Sequence, residues 1–206
     1  RNGGADKFID RDKQLEALDR LYKSDKFEFV VIYGRRRVGK TALINHFIDN
    51  KKAIYFMGVE SNEKQNLENF SKSIIEFSSG IQAETSFLSY QTALEYAFKL
   101  AENDRVILAI DEYPYVARAS KSLASTLQML IDKYKDNSKL MLILCGSSMS
   151  YMEDHVLAYK APLYGRRTAQ MKIMPFDFEE CCTYLSGLSD EDKAYVYGIV
   201  VGTPQY

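Results

Sequence analysis

The 206 residues are 46% apolar and 27% charged, with 15 tyrosines and 11 phenylalanines, a load of apolar side chain that excludes disorder and predicts a globular chain burying about 70% of its unfolded surface. Lysine plus arginine number 27 and aspartate plus glutamate 28, for a formal net charge of -1, so no bulk field draws the chain to nucleic acid or anionic lipid and any polyanion must be held locally. The longest apolar runs, at 29–33, 106–110 and 140–145, fall far short of the roughly 18 residues of a membrane span, and three cysteines with two remote histidines make neither a disulfide framework nor a zinc spacing; a cytoplasmic address is the expectation.

The first four residues, lacking an apolar stretch, read as a flexible lead-in rather than a signal peptide. Asp10 then stands as a helix cap ahead of Leu15, Leu18, Leu21 and Tyr22, which share one helical face. Residues 27–33 read as a strand buried on both faces. A helix opens near Lys40, with Leu43, Ile44, Phe47 and Ile48 on one side, and residues 52–59 form the second strand candidate. Two further helices follow, one through Leu67, Phe70, Ile74 and Phe77, stopped at Ser78-Ser79-Gly80, the other through Tyr90, Leu94, Ala97 and Ala101. Strand candidates at 106–110 and 140–145 flank a long helix marked by Leu123, Leu127, Leu130, Ile131 and Tyr134. A fifth strand is predicted at 171–174. Solid apolar strands alternating with helices predict a parallel sheet covered on both faces.

Beyond Pro175 the texture changes. Asp177 and Glu180 have the capping-box spacing, opening a helix toward Leu185, and Asp190 caps another expected to run through Val200. This portion is too short for a core of its own, so the expected organisation is a main domain over 1–176, then the start of a second over 177–206, with the chain forming the N-terminal part of something longer.

Gly34-Arg35-Arg36-Arg37-Val38-Gly39-Lys40-Thr41 fits G-x-x-x-x-G-K-[ST] between a predicted buried strand and a predicted helix. In that context successive backbone N–H groups surround a phosphate at the positive end of the helix. Gly34, Arg35, Arg37, Val38, Gly39, Lys40, Thr41 and Ala42 make up the expected cradle. Lys40 would reach the β- and γ-phosphates and the Thr41 hydroxyl would bind Mg²⁺. The arginines within the loop either touch phosphate or face solvent or another subunit.

Asp111 and Glu112 end the strand at 106–110, at the sheet edge where open α/β folds bind ligands. Asp111 would hold Mg²⁺ through its water shell, and Glu112 would polarise the water attacking a γ-phosphate. No Asn-Lys-x-Asp stands in the chain, which argues against guanine. Ser147, after the fourth strand, is placed to reach between that water and the γ-phosphate, or else is an ordinary Gly-Ser turn residue. Arg166, in the basic pair after Tyr164-Gly165, would give positive charge to a transition state in cis or from a neighbouring subunit, or is simply a surface loop residue.

Together these letters resemble the archaeal-type ATPases also found in bacteria, a branch of the STAND and AAA+-like P-loop ATPases. The resemblance spans nearly the whole chain and rests on residues 8–15, 34–41, 110–112, 146–148, 162–166 and 201–204. It implies a three-layer α/β/α P-loop fold with a parallel five-stranded sheet in the order 5-1-4-3-2, followed by the beginning of a helical lid and winged-helix domain. It implies further that Ile9 and Arg11 lie by the adenine and that Pro204, in the lid, contacts the nucleotide. Asp10 stands where the family has glycine, and Gln14 where it has an acid.

The expected activity is Mg-dependent hydrolysis of ATP to ADP and phosphate, used as a conformational switch. The alternatives are a nucleotide-gated binding module that scarcely hydrolyses, a DNA-remodelling ATPase and, third, a small-molecule phosphotransferase. Expected partners are ATP, a second copy through the phosphate-loop face, and DNA or protein through a region after Tyr206, with no membrane.

Overall fold

The computed structural model describes residues 11–82, 84–175 and 199–201. Helix α1 (Asp12–Lys23) leads into strand β1 (Glu28–Tyr33), which is buried along its whole length. Helix α2 (Lys40–Ile48), strand β2 (Ala53–Met57), helices α3 (Glu63–Ser79) and α4 (Tyr90–Leu100), and strand β3 (Val106–Asp111) follow. Then come helices α5 (Tyr113–Ala119) and α6 (Leu123–Tyr134), strand β4 (Leu140–Gly146), a helical segment α7 (Met149–Tyr151) continued by a π-helical stretch (Met152–Leu157), and strands β5 (Ala169–Lys172) and β6 (Ile199–Val201).

The sheet order is β2-β3-β4-β1-β5-β6. The first five strands are parallel, so the expected order 5-1-4-3-2 is present, read from the other edge. Strand alternation sorts β1 between two cores. Phe29 and Val31 face α3, α4 and α6 through Phe70, Phe98 and Leu127, while Val30 and Ile32 face α1 and α2 through Leu18, Leu43, Ile44 and Phe47. Each such side chain fully removed from water contributes about 1.5–3 kcal/mol before entropy is counted, which is why β1, β3 and β4, lined on both faces, form the rigid centre of the sheet.

Helix ends follow local chemistry. The Asn62 side chain accepts from Gln65 N at 2.8 Å and Ser89 Oγ from Thr92 N at 3.1 Å, satisfying N–H groups a helix start leaves open. Gly80, at φ 71°, closes α3. At the opposite end of the sheet from the phosphate loop, Arg105 is nearly buried and donates to Tyr22 O (3.0 Å), Leu21 O (3.2 Å), Ser24 Oγ (3.1 Å) and Lys139 O (2.7 Å). One guanidinium thus joins the end of α1 to the start of β4.

Three elements differ from expectation. The fifth strand begins at Ala169 rather than 171, because Thr168 is already locked onto β1: its N and Oγ1 donate to Phe29 O (2.7 and 3.0 Å), and Phe29 N donates to Oγ1 (3.0 Å). Helix α5 was not foreseen, since proline right after a strand reads as a turn; Pro114 instead occupies the first helical turn, where no N–H is required. The helix expected to run through Val200 gives way at Ile199–Val201 to a strand antiparallel to β5, in keeping with three consecutive β-branched residues. The capping-box helix and residues 202–206 lie outside the described residues.

Candidate active site at the carboxyl edge of the sheet

The glycines of the loop after β1 have different reasons to be there. A Cβ on Gly34 would stand 2.3 Å from the carbonyl oxygen of Ile173, so the chain leaving β5 presses directly on the loop's first residue. Gly39 has open space around it but φ of 93°, a conformation that disfavours a side chain. Arg37 also has positive φ, 66°. These two turns deliver the chain to the N-terminus of α2, where open N–H groups and the helix dipole favour an anion.

Lys40 is nearly buried, and its Nζ donates back to Arg35 O at 2.6 Å. Burial lowers its pKa from the ordinary lysine value, opposed by Cys145, Glu112 and Asp111. Thr41 Oγ1 donates to Asp111 Oδ2 at 2.7 Å. The carboxylate of Asp111, with no exposed surface, also accepts the hydroxyl of Tyr55 on Oδ2 at 2.6 Å and the backbone N–H of Glu112 on Oδ1 at 2.9 Å. Burial, and then the bond to Asp111, pushes the Tyr55 phenol well above its usual value, so it stays a donor. Burial likewise pushes the Cys145 thiol up, and it is no nucleophile here.

Glu112 caps α5 in the left-handed region, φ 52° and ψ 42°, a strained place for a side-chain-bearing residue, worth about 1 kcal/mol or more. Its carboxylate meets Ser147, whose Oγ donates to Oε1 and Oε2 at 2.9 and 3.1 Å. Across the same opening, Arg36 donates to the Tyr115 hydroxyl at 2.8 Å. A cavity of about 270 Å³ is left between them, lined by residues 39–42 together with Arg36, Arg37, Glu112, Tyr115 and Ser147.

Of the residues singled out in the sequence, the fold therefore brings together Gly39, Lys40, Thr41, Ala42, Arg37, Glu112 and Ser147 around one cavity, with Asp111 behind Thr41. The Arg35 side chain is exposed, its carbonyl serving Lys40. Arg11 donates from Nη2 to Val38 O at 2.8 Å and to Met174 O at 3.4 Å, behind the loop. Arg166 is elsewhere: it grips Asp132 with Nε and Nη2 (3.1 and 2.9 Å), and Nη1 donates to Pro162 O and Tyr164 O. Ile9 and Pro204 lie outside the described residues. Tyr55 and Tyr115 were missed. The signal for Tyr55 was a polar-tipped ring in an otherwise apolar strand; its register partner on β3 is the small Ala109, two residues before Asp111.

A hydroxyl and a carboxylate, both hard oxygen donors, beside a lysine and a set of loop amides match what Mg²⁺ and a polyphosphate require. Fold and site define an α/β protein of the P-loop class. The chain belongs to the family of ATPase domains found predominantly in Archaea, whose model matches residues 8–206. It is 35% identical over 199 residues to an uncharacterised protein of Methanocaldococcus jannaschii, covering 97% of this chain and 43% of that one. A 45-residue stretch, 22% of this chain, is 49% identical to an uncharacterised ATP-binding protein of the same organism, over 76% of that protein. The chain thus spans less than half of the longer relative.

Among solved structures, the Walker-type ATPase of Pyrococcus abyssi shares the fold with a TM-score of 0.62 at 21% identity, over 85% of this chain and 56% of that one. Cdc6p of Pyrobaculum aerophilum gives 0.56 at 17% identity, over 93% and 51%. The Drosophila ORC bound to DNA gives 0.51 at 17% identity, over 88% and 47%.

Proposed function

We propose that the chain binds MgATP and hydrolyses it to ADP and phosphate, as the conformational switch of a multidomain protein. The observation that carries this reading is the meeting of Lys40 and Thr41 with Glu112 and Ser147 around one cavity, Thr41 being tied to Asp111. The loop amides and Lys40 hold the phosphates. Thr41, with Asp111 behind it, holds the metal, which when bound neutralises charge on the phosphate oxygens. Glu112 orients the attacking water and draws off its proton.

Glutamate at 112 supports hydrolysis over simple occupancy, since a binding module has no use for a strained carboxylate facing the phosphate end of the cavity. Arg166 enters as a residue offered to the site of a second copy, which requires release from Asp132. DNA or a protein is the proposed partner of the portion of the protein beyond this chain, and the cytoplasm its compartment; among the described residues no helix is long and apolar enough to cross a membrane.

Steady-state phosphate release and calorimetric ATP binding, measured side by side on Glu112→Gln, test the reading. The expected result is turnover reduced by about a hundredfold or more with the dissociation constant for ATP kept. Undiminished turnover removes Glu112 from its role. ATP binding without any phosphate release from the unaltered protein favours the nucleotide-gated module, and hydrolysis stimulated by DNA favours the remodelling ATPase.

A further inference from the structure

Asp111 is held from three sides by oxygen- and nitrogen-bound hydrogens, and the distribution is uneven. Oδ2 takes both hydroxyls, Thr41 at 2.7 Å and Tyr55 at 2.6 Å, whereas Oδ1 takes only the Glu112 N–H at 2.9 Å. A carboxylate offers about two acceptor positions on each oxygen, so the two hydroxyls saturate Oδ2, and the thiol of Cys145, a weak donor, is a further group set against the carboxylate. Asp111 is fully buried, and it is Thr41, not Asp111, that lines the cavity.

Tyr55 has no part in the sheet core that would account for its hydroxyl. The side chain stands on the α2 face of β2, half-buried beside Ala109. A phenylalanine would fill the same space. What the hydroxyl adds is a second donor on Oδ2 that comes from a strand, fixed by five register pairs to β3, and is independent of the phosphate loop. Thr41, by contrast, stands in the first turn of α2 directly after the phosphate loop, and its lone pairs are the ones a cation claims. Tyr55 is thus the side-chain donor to Asp111 that does not come from the phosphate loop or α2.

We infer that Tyr55 is a positioning residue for the metal: by donating to Oδ2 of Asp111 alongside Thr41 it fixes the carboxylate that would support Mg²⁺ from behind Thr41. This inference rests on the reading of the site as one for Mg-nucleotide. Outer groups that orient a metal-binding carboxylate typically govern metal affinity by about tenfold to a hundredfold.

The test is calorimetric titration of ADP into the unaltered protein and into Tyr55→Phe, with Mg²⁺ and with EDTA, together with the thermal midpoint of each nucleotide-free protein. Expected is a loss of about tenfold or more in the tightening of ADP by Mg²⁺, with the EDTA affinity unchanged and the midpoint lowered only by as much as the loss of one buried hydrogen bond entails. In an Asp111→Asn background the Tyr55→Phe change is expected to have no further effect on Mg²⁺ dependence, a coupling that a purely structural tyrosine does not show. Tyr55→Phe with full Mg²⁺ dependence overturns the inference, as does an equal loss in EDTA. If the unaltered protein binds ADP with no regard to Mg²⁺, both this inference and the functional reading beneath it fall.

Discussion

Ser147 spans both carboxylate oxygens of Glu112 with a single hydroxyl, at 2.9 and 3.1 Å, linking the end of β4 to the cap of α5. Glu112 is thereby held by a strained backbone on one side and a short polar side chain on the other. If the hydroxyl serves to aim the carboxylate, Ser147→Ala lowers turnover by about tenfold to a hundredfold through misplacement, leaves nucleotide affinity within about twofold, and is rescued by Ser147→Thr. Single-turnover phosphate release on the three proteins measures this. A faster Ser147→Ala protein would show the contact to be a restraint instead.

The lowered pKa of Lys40 gives nucleotide binding a pH dependence of definite sign. Burial disfavours the ammonium in the free protein, while anionic phosphates favour it once bound. Between the free protein's lowered pKa and the higher one of the bound state, binding must therefore take up a proton, and affinity falls as pH rises across that window; below it Lys40 is charged in both states, above it neutral in both, and neither contributes a slope. Calorimetry of ATP binding in two buffers of different ionisation enthalpy reads the proton uptake directly. Lys40→Arg, which stays charged, is expected to abolish the uptake even where it weakens binding.

Gly34 and Gly39 predict different kinds of damage. Alanine at 34 drives a methyl into the Ile173 carbonyl at 2.3 Å, and neither backbone can give way while Ile173 N is bonded to Tyr33 O at 2.7 Å. The expected cost is about 1–3 kcal/mol of stability by denaturant unfolding. Alanine at 39 meets no atoms and costs only its backbone conformation, about 1 kcal/mol, with the larger effect on ATP affinity.

Arg105 is expected to be a stability residue without a catalytic phenotype. Truncation to alanine takes the guanidinium from the carbonyls of Tyr22 and Lys139, while Leu21 O keeps Ser24, and leaves a cavity where the guanidinium joined α1 to β4, at an expected cost of about 2–4 kcal/mol. Lysine, with one point charge in place of a fork, recovers little of it. Thermal unfolding gives the loss, and turnover per folded molecule at low temperature is expected to match the unaltered protein.

What the letters disclosed and what they withheld divide along physical lines. Strands β1, β3 and β4 were legible because both faces are apolar, and α2 because its loop fits a spaced motif. Asp111 and Glu112 were legible because two acids closing such a strand are out of place in a core. Tyr55 was not, because its meaning depends on which residue of a neighbouring strand lies two register positions along, a fact of pairing and not of periodicity. Arg166 shows the converse. A basic pair near a glycine suggested either a role in the reaction or a surface loop, and the letters carry no hint of the fork-to-carboxylate contact that Arg166 makes with Asp132 from α6. Helix α5 was hidden by Pro114, whose effect reverses between a helix interior and a first turn.

Arg11 bridges two carbonyls that belong to different parts of the chain, Val38 within the phosphate loop and Met174 just past β5. One guanidinium thus ties the phosphate loop to the chain leaving β5, so Arg11→Ala is expected to loosen both at once.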